Sequence, residues 1–433
     1  MKAFRRGQLN NFAQLTMPYL AGFVGPGHQV TLVDEYNDTV DLEGRWDLVA
    51  ITCNTPNARH VYQLSAELRS RGSTVVLGGP HVSLLPDEAA EHADAIVVGE
   101  AEHTWPELLR DAERGRLARI YRSEEAPSLE GLPIARRDLI RRRPLLGCTI
   151  IATRGCPHRC RYCNLRQIYH DALRFRPVAE VVEEVRGFRS PFFAFWDDQL
   201  FMNRTYAQRL FQALEGLGRR WAAMVTPASA QDDQLLAAAA RAGCSCLFLG
   251  LESISTGSLK GVGKGFNRVV DYGDIVGRIH RHGLLAQAGI VFGFDGDDPG
   301  IFERTLDEAR RIGIDGATVS ILTPFPGSPL FEELESEGRL LTHDWSYFNG
   351  KTAVTFRPRR MDPAQLWEGY RWFRRRFFSR REILRRCRRS GVSPLTSLAL
   401  NWGYRRTLTS EIPGHPLPGS APRPRGEGKT ELG

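Results

Sequence analysis

The feature that most constrains the fold is a repeated alternation of short apolar runs with amphipathic stretches. Between about residues 28 and 122 the apolar runs read QVTLVD, WDLVAIT, TVVLGG and ADAIVVGE, and helix-like stretches such as NARHVYQLSAELRSRG, PDEAAEH and TWPELLRDAERG lie among them. This is the pattern of βαβ units, which build an open parallel sheet. Such a sheet binds ligands at the carboxyl ends of its strands, which here are Thr52 to Pro56, Gly78 to His81 and Gly99 to Glu102.

A second alternating series begins near residue 148. Its six apolar runs are TIIAT (149–153), FFAFWD (192–197), WAAMVT (221–226), SCLFLGLE (245–252), LAQAGIVFGF (285–294) and GATVSILTP (316–324). The helix-length segments between them open with Pro177, Asn203, Gln231, Asn267 and Pro299. Six consecutive βα units predict a partial (βα)6 barrel with its chemistry at the carboxyl ends of the strands. The expected fold class is therefore α/β, with a Rossmann-like parallel sheet ahead of the barrel.

These patterns divide the chain into segments. We predict a sheet domain, a Pro- and Arg-containing linker and a barrel, at residues 1–122, 123–147 and 148–330. Residues 331–392 are expected to form a helical extension packed on the barrel, because apolar side chains recur there at helical spacing between arginines. Those side chains are Leu366, Tyr370, Phe373, Phe377 and Leu384. Residues 411–433 are rich in Pro, Gly and charge, which predicts a disordered tail.

The net charge of +8 over 433 residues is concentrated in one segment. Residues 357–389 hold thirteen Arg against three acidic residues, so the rest of the chain is close to neutral and nucleic acid is not expected as a partner. No run approaches the roughly 18 to 20 apolar residues of a membrane-spanning helix, and the opening MKAFRRGQLNNF lacks the apolar run of a secretory signal. A cytoplasmic enzyme is therefore expected.

Three of the eight cysteines, Cys156, Cys160 and Cys163, lie close together in TRGCPHRCRYCN, directly after the first barrel strand. Eight cysteines are too few for a disulfide scaffold in a chain of this length, so CxxxCxxC indicates metal chemistry in a reducing compartment. A closed structural zinc site takes four ligands, whereas an iron–sulfur cluster held by three cysteines keeps one iron open. Zinc would need a fourth ligand, and His158 lies inside the loop, where the geometry disfavours it.

This motif resembles that of the radical S-adenosylmethionine (SAM) superfamily, in which an aromatic residue precedes the last cysteine. Tyr162 takes the aromatic position, and the resemblance extends over residues 148–330. It implies a [4Fe-4S] cluster held by Cys156, Cys160 and Cys163, with SAM chelated to the open iron. It further implies an external one-electron donor of the flavodoxin or ferredoxin type, and a 5′-deoxyadenosyl radical that abstracts hydrogen from a small-molecule substrate. Tyr162 is accordingly predicted to be a cofactor-binding residue.

Further candidate cofactor-binding residues lie at the ends of later barrel strands. Asp197 and Asp198 in FWDDQ could hold SAM or orient substrate, although capping of the next helix explains either one equally well. Glu252 in LGLES ends an apolar run, and the resemblance implies that it binds ribose hydroxyls. Gly293 in GIVFGFDGDD is the expected backbone partner of adenine. The segment SLKGVGKGFN lacks the spacing of a phosphate loop and is interpreted as a glycine-rich connection.

The amino-terminal sheet resembles the cobalamin-binding domain that precedes many radical SAM barrels, through VVLGGPHVSLLPDEAAEHADAIVVGEAE. Gly78 and Gly79 allow the backbone to approach a flat ligand closely, although a tight turn needs the same residues. Two departures stand out: the segment has no DxHxxG histidine to ligate cobalt, and its opening is short and polar where an apolar first strand is normal. The resemblance implies cobalamin as a third cofactor. The carboxy-terminal extension resembles that of cobalamin-dependent radical SAM proteins such as hopanoid methylases.

The sequence leaves the outcome of the radical reaction open. One reading is methylation of an unactivated carbon of a secondary-metabolite substrate through cobalamin. A second is loss of water, as in the radical diol dehydratases of aminoglycoside biosynthesis, with a vestigial sheet domain. A third makes the Arg-rich helix an RNA-binding surface, with aromatic side chains stacking on bases. The helical spacing of those side chains fits core packing better; they are Trp367, Tyr370, Trp372 and Phe373.

Overall fold

The computed structural model describes residues 12–35, 37–141, 147–169, 172–389 and 394–409. Within them the chain forms a four-stranded parallel sheet, a six-stranded parallel sheet and a two-stranded ribbon. The predicted α/β class, with a Rossmann-like sheet ahead of a (βα)6 barrel, is confirmed. The predicted tail, 411–433, lies outside the described residues.

The amino-terminal sheet has the strand order β1-β2-β3-β4. Its strands are β1 (Leu48–Thr52), β2 (Thr74–Gly78), β3 (Ala95–Val98) and β4 (Ile120–Arg122). Its helices are α1 (Thr16–Ala21), α2 (Ala58–Ser70), α3 (Pro80–Leu84), α4 (Pro86–Glu91) and α5 (Thr104–Glu113). Alternate residues of β2 and β3 enter two apolar clusters on opposite faces of the sheet, as a parallel sheet covered on both sides requires.

The interpretation of QVTLVD as a strand is wrong. The structure has no strand over residues 29–34, and WDLVAIT instead supplies the edge strand β1. Val33 is 37% exposed, so pairing this run to the sheet edge would bury little apolar surface to offset the ordering of its backbone.

The barrel sheet has the order β12-β11-β10-β9-β8-β5, and all of its neighbouring strands are parallel. Its strands are β5 (Cys148–Ile150), β8 (Phe192–Phe195), β9 (Arg220–Val225), β10 (Cys244–Glu252), β11 (Leu285–Phe292) and β12 (Gly316–Ile321). The antiparallel ribbon consists of β6 (Thr153–Arg154) and β7 (Arg174–Phe175). It closes the base of the loop that contains the three cysteines.

The helices of the barrel are α6 (Leu165–Tyr169), α7 (Val178–Arg186), α8 (Arg204–Leu214), α9 (Asp233–Arg241), α10 (Thr256–Gly261), α11 (Tyr272–Arg281), α12 (Ile301–Ile312) and α13 (Pro329–Ser336). The expected starts at Pro177 and Asn203 are confirmed, and the Asn203 side chain accepts a hydrogen bond from the backbone of Tyr206. Near Gln231 and Asn267 short 3₁₀ turns intervene, so α9 and α11 begin later than expected.

The carboxy-terminal extension contains α14 (Pro363–Phe377), α15 (Arg380–Arg389) and α16 (Pro394–Thr409). Four of the five side chains expected in its apolar stripe are buried: Leu366, Tyr370, Phe373 and Phe377. The fifth, Leu384, is 53% exposed, so its assignment to the stripe is wrong. The helix breaks between Phe377 and Arg380, which resets the phase of the helical repeat, and α15 buries Ile383 and Cys387 instead.

The burial of Tyr370 and Phe373 removes two of the four aromatic side chains that an RNA-stacking surface would need. Among the described residues, no helix has both the length and the apolar character needed to cross a bilayer.

Candidate active site

The three cysteines lie on one loop at the carboxyl end of the barrel, which we call the cluster loop (residues 155–164). Each thiol is half-buried, and burial raises the pKa of all three thiols, that of Cys163 to about 12. The backbone N–H of Cys163 donates to the carbonyl of Cys160 at 3.0 Å. The loop therefore presents three thiols from a tight backbone turn.

Neighbouring segments hold the middle of the cluster loop from two sides. The N–H of Arg161 donates to the carbonyl of Val262 at 2.9 Å, and the carbonyl of Arg161 accepts from the N–H of Leu330 at 2.9 Å. Gly263 packs so closely that a Cβ there would lie 2.9 Å from the carbonyl oxygen of Arg159. The segment interpreted from sequence as a mere glycine-rich connection is thus the support of this loop.

The donor set fits an iron–sulfur cluster with one open iron. The ring of His158 is stacked on Phe266 of the glycine-rich segment with a centroid distance of 3.8 Å, so it packs against an apolar partner. In the described part of the chain, no three His, Cys, Asp or Glu side chains converge closely enough for a single metal ion. A cuboidal cluster spaces its thiolate ligands more widely than one ion does, so we propose Cys156, Cys160 and Cys163 as its ligands.

Glu252 ends β10 in a conformation that few side chains adopt. Its φ is +64°, and the pairing of β10 with β11 changes register between Leu249 and Glu252. Its carboxylate lies over Gly250, where a Cβ would approach Oε1 to 2.9 Å. A strained residue at a strand end is a frequent mark of a functional site, and Glu252 remains our candidate for the SAM ribose.

Lys264 connects Glu252 to the cluster loop. Its Nζ lies 2.7 Å from Glu252 Oε1 and 3.3 Å from the hydroxyl of Tyr162, and Lys264 is only 8% exposed. Burial, with the Glu252 charge next, raises the pKa of the Tyr162 hydroxyl, so Tyr162 stays neutral. Three side chains from the cluster loop, the end of β10 and the glycine-rich segment therefore meet at one point.

The two adjacent aspartates take different positions. Asp197 is fully buried and accepts hydrogen bonds from the backbone N–H groups of Ala152 and Thr153, which tie the end of β8 to the end of β5. Burial raises the pKa of the Asp197 carboxyl to about 7 despite those donors. Asp198 is half-buried and accepts from the N–H of Gly155, at the start of the cluster loop, at 3.3 Å. Asp198 is therefore the better candidate for contact with SAM or substrate, and Asp197 for support of the strands.

Gly293 follows β11 with φ of +107°, and a Cβ there would lie 2.8 Å from Leu366 of α14. Its N–H donates to Asp297 Oδ2 at 3.0 Å, and Ser258 donates to Asp297 Oδ1 at 2.9 Å. Burial raises the pKa of the Asp297 carboxyl to about 6. Contact of Gly293 with adenine stays a prediction, and the packing of α14 is by itself a reason for glycine at this position.

The glycines at the carboxyl ends of β2 and β3, where the resemblance places cobalamin, have different surroundings. A Cβ at Gly79 (φ +100°) would lie 2.8 Å from Thr52 Oγ1 and 3.0 Å from the backbone of Cys53, so Gly79 packs against the loop after β1. Among the described residues, a Cβ at Gly99 (φ +82°) would meet no atom within 4 Å, and a Cβ at Gly78 would meet only Val97, at 3.7 Å. The open backbone at Gly78 and Gly99 fits the approach of a flat ligand, while Gly79 shapes the loop.

The carboxyl ends of the two sheets face each other. Glu100 and Glu102, after β3, accept hydrogen bonds from Arg154 of β6, the second of them at 2.6 Å. Gly327, in the loop after β12, packs on Leu84 of α3, whose Cδ2 would lie 3.0 Å from a Cβ there. Further out, Trp345 Nε1 donates to Glu88 Oε1 at 3.0 Å. We call the carboxyl ends of β1, β2 and β3 (residues 52–56, 78–81 and 99–102) the cobalamin face. This face therefore opens toward the barrel mouth.

Sequence reasoning missed Lys264, Asp297 and the arginines that bind Glu100. A signal existed for Lys264, because a carboxylate ending an apolar strand needs a nearby cation, and Lys264 follows Glu252 by 12 residues, shortly after α10. No local signal pointed to Arg154 and Arg174, since their partners come from another domain.

Comparison with known proteins agrees with this architecture. Residues 13–109 match the B12 binding domain, residues 150–337 the radical SAM superfamily, and residues 328–395 a domain of unknown function, DUF4070. Bacteriochlorophyllide d C-12(1)-methyltransferase of Chlorobaculum tepidum is 30% identical over 371 residues, which cover 82% of this chain and 80% of that protein.

Two solved structures share the fold. The radical SAM methyltransferase TsrM from Kitasatospora setae, solved with cobalamin and a [4Fe-4S] cluster, has a TM-score of 0.57 at 20% identity and covers 68% of each chain. The cobalamin-dependent radical SAM enzyme OxsB, solved with aqua-cobalamin and SAM, has a TM-score of 0.63 at 14% identity and covers 85% of this chain and 64% of its own.

A B12-binding sheet in front of a radical SAM barrel defines a radical SAM enzyme of the cobalamin-dependent class. The chain belongs to the family of cobalamin-dependent radical SAM methyltransferases. The expected cofactors, a [4Fe-4S] cluster, SAM and cobalamin, are confirmed at the level of the family. The residues that hold each cofactor stay proposals.

Proposed function

We propose that the protein methylates an unactivated carbon of an apolar small molecule. The observation that carries this proposal is the opposition of the two sheets: the open glycine backbone at Gly78 and Gly99 and the cluster loop lie on faces that meet. When bound, the cluster and SAM supply a 5′-deoxyadenosyl radical and cobalamin supplies a methyl group. Both must reach one substrate carbon, which requires such opposed faces.

The residues of the chain then have distinct tasks. Cys156, Cys160 and Cys163 hold the cluster, and an electron donor outside the chain reduces it. Glu252, fixed by Lys264 at 2.7 Å, orients the nucleoside of SAM, and Asp198 lies beside the start of the cluster loop to bind the amino end of SAM or the substrate.

The interior of the barrel supports an apolar substrate. Phe195 and Val225 are buried in the outer core, so by strand alternation Trp196 and Met224 point into the barrel. Trp196 is 53% exposed and Met224 37% exposed, which leaves apolar surface facing the interior. A ligand with a large apolar surface would cover these side chains favourably.

The test is anaerobic incubation of the reconstituted protein with SAM, a reductant and hydroxocobalamin. Bacteriochlorophyllide d is the first substrate to offer, because it appears in the name of the relative with 30% identity. The proposal expects bound corrinoid, 5′-deoxyadenosine and a product heavier by one methylene group. The contrary result is a wild-type protein that binds no corrinoid, yet forms 5′-deoxyadenosine and a dehydrated product from an aminoglycoside-type diol. This result would contradict methylation and support the dehydratase hypothesis.

A further inference from the structure

A buried group of four charged side chains joins the amino-terminal domain to the base of the cluster loop. Glu100 and Glu102 come from the loop after β3, and Arg154 and Arg174 come from the ribbon β6–β7. The side chain of Glu100 is 2% exposed, that of Glu102 5%, that of Arg154 10% and that of Arg174 14%. Removal of one partner from such a buried ion pair is strongly destabilising, because it leaves an unpaired charge away from solvent.

The register of the ribbon places two arginines side by side, and Glu100 compensates their charge. Arg154 and Arg174 are direct partners across β6 and β7, and like charges directly opposite each other repel. Glu100 accepts a hydrogen bond from each arginine through a different oxygen: Oε1 from Arg154, and Oε2 from Arg174 at 2.5 Å. One carboxylate therefore joins both strands at the base of the cluster loop.

Glu102 makes a lesser contact with the same ribbon. Its Oε1 accepts from Arg154 at 2.6 Å and from the hydroxyl of Tyr19 at 3.0 Å, while its buried Oε2 has no hydrogen-bond partner among the described residues. It touches only one strand of the ribbon. Glu102 thus provides a matched control: the same side chain, the same loop, but a link to one arginine.

We propose that Glu100 is a positioning residue, which fixes the cluster loop against the cobalamin face. The ribbon that closes the base of that loop has Arg154, directly before Gly155, on β6 and Arg174 on β7. Arg174 also donates to the carbonyl of Pro127 at 2.8 Å. Clamping both strands of this ribbon from the amino-terminal domain sets the separation of the two cofactor sites. The inference rests on the proposed function, since that separation matters only if both cofactors serve one substrate.

The test measures the cofactor separation directly. Wild type, Glu100→Gln and Glu102→Gln are loaded with a reduced cluster and cob(II)alamin, and pulsed electron paramagnetic resonance records the magnetic coupling between them. Glu100→Gln is expected to lose the single narrow distance distribution, because a donor NH2 group replaces one of the two oxygens and cannot accept from the arginine that faces it. Glu102→Gln is expected to retain it. An unchanged distribution in Glu100→Gln overturns the proposal.

The double variant Glu100→Gln, Arg174→Gln separates positioning from stability. It removes the unpaired buried arginine, so its melting temperature should recover toward that of wild type even where Glu100→Gln alone does not fold. The proposal expects its cofactor distances to stay broad, because the link to β7 is still missing. Recovery of a narrow distribution together with stability would make Glu100 a merely structural residue and would overturn the proposal.

Amide hydrogen exchange tests the role of Glu100 without cobalamin, and therefore independently of the proposed function. A wild-type protein that takes up no cobalamin contradicts the proposed function alone. Exchange in peptides covering residues 153–175 still reports the clamp in cluster-loaded protein without cobalamin. It should rise in Glu100→Gln and in the double variant, but not in Glu102→Gln. Equal protection in all four proteins overturns the proposal.

Discussion

The two halves of the candidate active site hold their ligand positions by different means. In the barrel, polar and charged side chains are held in place by buried contacts, as in the group formed by Glu252, Lys264 and Tyr162. In the amino-terminal domain the strand ends present backbone at Gly78 and Gly99, and His81 is fully buried between Thr55 and Glu88. Removal of side chains should therefore weaken cluster and SAM binding in the barrel half, whereas cobalamin binding in the amino-terminal half should respond to added bulk at the glycines.

The largest expected effect concerns the cluster. Cys160→Ala removes one of three proposed ligands, so the variant should lose the broad iron–sulfur absorption and all SAM cleavage. The matched control is the double variant Cys244→Ala, Cys246→Ala, whose thiols lie on β10 outside the cluster loop. The control should keep the cluster. SAM cleavage at the wild-type rate by Cys160→Ala would remove the basis of the assignment.

A smaller effect is expected from the charged pair at the end of β10. Glu252→Ala should weaken SAM binding by about 1 to 3 kcal/mol, because the ribose hydroxyls and Lys264 lose their acceptor. Isothermal titration with SAM on the cluster-loaded protein measures this change. Lys264→Met should weaken SAM binding as well, since it frees the Glu252 carboxylate from its position, while the iron content stays constant in both variants. Wild-type affinity in Glu252→Ala would place the nucleoside elsewhere.

Removal of either of the two adjacent aspartates should affect the barrel half differently. Asp197→Ala leaves the buried N–H groups of Ala152 and Thr153 without an acceptor, which should lower the free energy of unfolding by about 1 to 3 kcal/mol. Asp198→Ala loses one long bond to Gly155 and should change stability little, but it should weaken SAM or substrate binding. Urea unfolding monitored by circular dichroism, with SAM titration, distinguishes them. Equal loss of stability in both variants would contradict the division of roles.

The sequence patterns that predicted correctly are local ones. Parallel barrel strands are continuous apolar runs, and CxxxCxxC lies within eight residues, so both are visible in short windows. The predictions that were wrong or incomplete concern residues whose role depends on distant partners or on the phase of the helical repeat. Leu384 kept the helical spacing of α14, but the break after Phe377 turned it outward. Glu100 looked like part of a ligand-binding loop, and only the fold brings Arg154 and Arg174 to it.

The smallest expected effect tests whether the cobalamin half responds to bulk. Gly79→Ala and Gly99→Ala both place a Cβ at positive φ, so both carry a similar backbone strain. Only at Gly79 does the Cβ collide with protein, at Thr52 and Cys53, so Gly79→Ala should be the less stable variant in thermal unfolding. At Gly99 the Cβ enters space that holds no atom of the part of the chain that the structure describes.

Gly99→Ala should therefore keep its fold and its iron–sulfur absorption but bind hydroxocobalamin more weakly, by about tenfold or less, which corresponds to at most about 1.4 kcal/mol. Gly72→Ala is the matched control, because it also has positive φ and open space around its Cβ but lies after α2, at the amino-terminal end of β2, away from the strand ends that face the barrel. Its backbone strain is similar, with φ of +90° against +82° at Gly99, so a difference in cobalamin affinity between these two variants comes from the position of the methyl group. Equal affinity in both would mean that Gly99 does not line the cobalamin site, and the contrast between a side-chain half and a backbone half would then rest on Gly78 alone.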